Sequence, residues 1–115
     1  MKKEFVGIIV KESLKDKSIL KKLDVLSTET TGERNPADRW HLYTVSVSEK
    51  EIDALSKKIK PKWYMHFWKN KKVIAVFKDK AFEFKHNEKS TWKPAIEYGL
   101  SVGIPKKQLD FKIKK

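Results

Sequence analysis

Apolar residues along this chain fall into runs whose spacing predicts their conformation. Phe5 to Val10 (Phe-Val-Gly-Ile-Ile-Val) is β-branched and apolar on both faces, the pattern of a central strand. Ser13 opens a Ser-x-x-Asp capping pattern with Asp16, and Ile19, Leu20, Leu23 and Leu26 recur at helical spacing opposite Lys17, Lys21 and Asp24, which predicts a helix. Val25 to Thr31 is Thr-rich, and Arg39 to Val47 has the composition of a strand, so the two are expected to form a long-looped hairpin. Ser48-Glu49-Lys50-Glu51 is a capping box, Ile52, Leu55 and Ile59 form one apolar stripe behind it, and Pro61 ends that second helix.

Lys62 to Lys69, Val73 to Lys78 and Ala81 to Lys85 read as three strands joined by turns at Asn70-Lys71 and Asp79-Lys80, a meander. Thr91 is the expected N-cap of a last helix that tolerates Pro94 in its first turn and turns Trp92, Ala95, Ile96, Gly99 and Leu100 inward; Gly103-Ile104-Pro105 stops it. With Val25 to Thr31 taken as a strand, the order through Asn70 is β-α-β-β-α-β. This predicts one α+β domain over residues 1–115, a ferredoxin-like antiparallel sheet with helices packed on one face. A C-terminal hairpin, a helix and a short strand at Leu109 to Ile113 extend it. With Val25 to Thr31 as a loop, the alternative is a mixed sheet with the same helices on one face.

Composition narrows the class. The chain has 115 residues, enough for one modest core, and its 39% hydrophobic content exceeds that of a disordered chain despite 37% charged residues. No apolar run approaches the length of a membrane span, and the six residues from Phe5 to Val10 are too short for the apolar part of a secretion signal, so the expected location is cytoplasmic. Without cysteine there is no disulfide, thiolate nucleophile or Cys-ligated zinc.

The formal net charge of +12 is unevenly distributed. Residues 1 to 56 carry eight Lys and two Arg against ten acids, a net of zero, so the whole excess lies in residues 57 to 115. That asymmetry makes a basic face only where the second half forms a contiguous surface. Of the 27 basic residues only Arg34 and Arg39 are Arg, which argues against bidentate reading of phosphates or base edges.

Trp63-Tyr64-Met65-His66-Phe67-Trp68, followed by Lys69-Asn70-Lys71-Lys72, is the densest feature. Strand alternation sets Trp63, Met65 and Phe67 on one face and Tyr64, His66 and Trp68 on the other. An open outer face beside Lys69, Lys71 and Lys72 is a stacking platform for single-stranded nucleic acid. The competing expectation is that the appended helix or a second subunit covers it, as large aromatics in small domains are mostly core. Arg39, His41 and Tyr43 alternate along another strand, and with Tyr64 and His66 across a sheet they would line a polar pocket for an anion; two hydrogen-bonded structural histidines are the competing expectation.

His41, His66 and His86 lack metal-ligand spacing, and with four glycines there is no phosphate loop, nucleophile elbow or dinucleotide fingerprint, so neither metal nor cofactor is expected. Glu83 between Phe82 and Phe84 reads as a solvated or Lys-paired carboxylate. The polar stretch from Gly32 to Asp38 is long for a hairpin loop and fits either a lid or a plain connection.

The function these features favour is a non-catalytic binding module for a polyanion such as nucleic acid. The alternative is a small-molecule-binding or enzymatic domain acting on an anionic ligand, for which a homodimer through its open sheet face is one option; an interaction protein with no ligand fits equally.

Overall fold

The computed structural model describes residues 4–32, 40–106 and 109. Its centre is a six-stranded sheet. The strands are β1 (Phe5–Val10), β2 (Asp24–Thr30), β3 (His41–Val47), β4 (Met65–Lys69), β5 (Lys72–Phe77) and β6 (Lys80–Lys85). They lie in the order β2-β3-β1-β4-β5-β6, and all five pairings are antiparallel. Helix α1 (Glu49–Ser56) crosses from β3 to β4, which run parallel to each other on either side of β1, and helix α2 (Lys93–Ser101) follows β6.

The ferredoxin-like arrangement is therefore not the fold. That arrangement needs a helix between β1 and β2, and the segment that should supply it forms two 3-10 turns, Lys11–Ser13 and Lys17–Lys22. The cause is tertiary. Leu14 bridges to Ile59, Lys15 N–H donates to the Lys58 carbonyl at 2.9 Å, and Lys60 N–H donates to the Ser13 carbonyl at 2.7 Å, so the chain is pinned to the loop after α1 with Leu14 extended. Ser13 caps nothing; its hydroxyl donates to the Val10 carbonyl at 2.6 Å. Asp16 is the cap instead, accepting from Ser18 N–H at 3.0 Å, and only six residues remain before the chain extends into β2, too few to sustain an α-helix. Leu26 consequently lies on a strand, at an irregularity between Val25 and Ser27, with more than half its surface in water.

The helices also lie on both faces. One face packs Phe5, Ile9, Val45, Val47, Met65 and Phe67 under Ile52 and Leu55 of α1, with Leu14, Leu20 and Ile59 filling the gaps. The opposite face packs Trp68, Val73, Ala75, Phe77 and Phe84 under Trp92 and Ala95, with Ile104 and Leu109 closing the layer. Burial on both sides explains the uninterrupted apolar runs of β1 and β5.

Several local expectations hold. Ser48 and Glu51 form the reciprocal capping box. Asn70 occupies the left-handed region at φ 56° in the two-residue turn between β4 and β5, and Asp79 does so at 59° between β5 and β6, where the turn is Lys78-Asp79, one residue earlier than expected. Gly103 closes α2 at φ 93°, and Ile104 packs back. Leu100, expected inward, is exposed. The strand expected at Leu109 to Ile113 lies outside the described residues beyond Leu109. No described helix is long and apolar enough to cross a membrane.

Candidate functional site

Strand alternation separates the aromatic run as expected, and the outer set is buried or half-buried on the face that also packs Trp92 and Ala95. Trp68 keeps 7% of its surface exposed and His66 8%. His66 lies 5.4 Å from the Trp68 ring and 6.2 Å from Tyr64, which continues to Phe77 at 5.9 Å. Trp92, whose indole N–H donates to the Lys85 carbonyl at 2.9 Å, is sealed into the same cluster. No open face of Trp68 or His66 is left for a base. Of the neighbouring cations, Lys69 is paired to Glu4 at 2.8 Å, and Lys72 to Glu83 at 3.2 Å with its ammonium over the Phe5 ring. Lys71 is exposed in the turn.

The polar pocket of His41, Tyr43, Tyr64 and His66 does not assemble. β1 stands between β3 and β4; Tyr43 packs with the α1 face, and Tyr64 with the α2 face. Arg39 lies outside the described residues. His41 instead meets a carboxylate the sequence did not single out. Glu12 accepts the His41 backbone N–H at 2.8 Å, and its other oxygen lies 2.7 Å from His41 Nδ1. Partial burial pushes the Glu12 carboxyl up, but the His41 backbone and ring bonds outweigh it and hold the group below its ordinary value.

A different site emerges where β4 begins and β5 ends. A groove of about 580 Å³ opens there between the loop after α1 and the C-terminal turn of α2. Its walls are Trp63 and Tyr98, its floor is the buried Phe77, and Lys62, Lys78 and Ser101 stand around it. Tyr98 meets Phe77 edge-on at 5.1 Å, and Trp63 meets the exposed Trp40 at 5.2 Å. Lys80 holds its ammonium 5.9 Å from the centre of the Tyr98 ring. Among the described residues, no acidic side chain lines the groove.

No family model, curated protein or solved structure matches this chain.

The groove's chemistry rests on its own geometry. Lys78 donates to the Lys57 carbonyl, the C-cap of α1, at 2.9 Å and lies 3.6 Å from Asp79. Contact with the Lys78 ammonium, by hydrogen bond first and by charge second, lowers the proton affinity of Lys15. Among the described residues, Lys57, Lys60, Lys62 and Lys80 have no carboxylate within 4 Å.

A second cavity, at the other end of β5, joins Lys71, Lys72 and Lys85 to Glu83 and Glu88; its cations are largely neutralised by the Lys72–Glu83 and Lys85–Glu88 pairs. Sequence reading missed the first groove because Lys62, Trp63, Lys78 and Tyr98 are dispersed along the chain. One signal was available: Trp63 directly follows Pro61-Lys62, before the strand proper begins at Met65.

Proposed function

We propose that this protein is a non-catalytic binding module for a polyanion, namely nucleic acid, engaged by the second half of its chain. The observation that carries the reading is the sheet order. Strands β1, β2 and β3, from the electrically neutral first half, occupy one side of the sheet, and β4, β5 and β6 occupy the other. From residue 57 onward the sequence has 17 Lys against five acids, and the three strands it supplies are neighbours, so Lys69, Lys72, Lys80 and Lys85 with the turn residues Lys71 and Lys78 share one side of the sheet. Such a field attracts phosphate backbones and concentrates them at one surface.

The near-absence of Arg supports contact with phosphates through point charges over bidentate reading of base edges, which favours binding with little sequence preference. The test is fluorescence anisotropy with labelled single-stranded and duplex oligonucleotides, from low to physiological salt. The expected result is an affinity of about micromolar at low salt that falls steeply as salt rises, because each neutralised phosphate releases counterions. Absent binding at low salt, or binding indifferent to salt, overturns the reading.

A further inference from the structure

We infer that the groove between Trp63 and Tyr98 seats single-stranded nucleic acid, one base lying among the aromatic rings while its neighbouring phosphates meet Lys62 and Lys78. The inference rests on the polyanion reading and deepens it to a strand type and a site. A space of about 580 Å³ falls within the range of small-ligand sites, and its apolar walls with cations around them match the two parts of a nucleotide. Base on ring requires a base that is free of its duplex partner, so the geometry selects single strands.

Two independent features mark this groove as more than a packing gap. The first is the backbone of Lys62. Three described non-glycine residues have positive φ; two are Asn70 and Asp79, side-chain types that tolerate that region, in hairpin turns. The third is Lys62 at φ 69°, where glycine or asparagine would be the unstrained choice. A long cationic side chain is kept there against the local preference, with its stem over Gly103. The second is the crowding of ammonium groups. The ammonium of Lys78, which lines the groove, is close enough to Lys15 behind it to depress the charging of Lys15, and an anion beside Lys78 relieves that repulsion. No other described cavity combines more than one aromatic ring with lysines and no carboxylate; the second has two carboxylates, and a third, beside Lys11, Lys17 and Lys21, has only Tyr43.

The experiment measures anisotropy of a labelled single strand of about ten nucleotides, a length suited to one small binding domain, against the full chain and three variants. Trp63→Ala removes a stacking wall. Lys62→Gly removes a phosphate contact while relieving the backbone strain, so its thermal midpoint is expected to stay level or rise, which separates lost binding from lost folding. Lys71→Glu, in the turn at the far end of β5, is the control for general charge.

The expected result is a loss of affinity of about tenfold for Trp63→Ala and several-fold for Lys62→Gly, with single strand preferred over duplex. If the wild type binds but both groove variants match it, or duplex binds as tightly as single strand, the groove assignment is overturned while the charge-based reading stands. If the wild type binds neither strand at low salt, the polyanion reading itself fails and takes the groove with it.

Discussion

Gly7 shows how a single residue position is decided by its neighbours. A Cβ at Gly7 would run into the Phe67 ring and come within 2.5 Å of the His66 carbonyl oxygen, a backbone atom with no room to retreat. β1 passes close over β4 at this point because glycine permits it. Gly7→Ala is expected to destabilise the fold by about 3 kcal/mol, at the upper end of core overpacking, and to lower the thermal midpoint by roughly 10 °C or more. Calorimetry checks it; an unchanged midpoint would mean that β1 and β4 separate at no cost.

The Glu12–His41 clasp makes a pH-dependent prediction at the same scale. A carboxylate whose folded-state value is depressed contributes stability above its unfolded value, and that contribution is lost as pH falls through the folded value. The stability difference between wild type and Glu12→Gln is therefore expected to be full near neutral pH and to shrink below about pH 4.5. Denaturant melts at neutral and acidic pH read it directly. A constant difference would place the role of Glu12 in shape rather than charge.

Among the elements, α1 is the one that local sequence controls most completely. Ser48 Oγ accepts the Glu51 N–H at 3.3 Å, and Glu51 Oε1 accepts the Ser48 N–H at 3.0 Å, so two of the donors that a helix start leaves orphaned are satisfied by residues three apart. Ser48→Ala is expected to cost about 1 kcal/mol, and more if the Ser48 N–H loses its partner, measured by urea denaturation. The 3-10 segment after β1 is the opposite case. Its helical spacing of Ile19, Leu20 and Leu23 is present in the sequence, yet backbone hydrogen bonds to residues 58–60, more than forty positions away, hold its start extended. Propensity over so short a stretch amounts to a few tenths of a kcal/mol per residue, less than the backbone bonds and the burial of Leu14 and Ile59 that compete with it.

For the whole molecule, the salt titration is the decisive prediction, because a salt slope counts phosphates neutralised by the entire basic side rather than by any one lysine. The segregation behind it was written in the sequence only as a difference between halves. Whether those halves would interleave in the sheet depended on strand order, and order follows from which strands β1 accepts as neighbours. The candidate groove has the same origin. Lys62, Trp63, Phe77, Lys78 and Tyr98 come from the loop before β4, the end of β5 and helix α2, and they meet because the ends of β4 and β5 coincide in register and α2 folds back across them.

Alternation and capping act between residues a few positions apart, so the chain's own pattern determined its strands, its two hairpin turns, α1 with its capping box, the stop at Gly103 and the division of the aromatic run between two faces. The burial of Trp68 and His66, the pairing of Glu12 with His41, the conversion of an expected helix into 3-10 turns and the gathering of the groove were decided only in three dimensions. Each depends on long-range contacts whose partners lie tens of residues apart, and no local periodicity records which distant surface a segment will bury itself against.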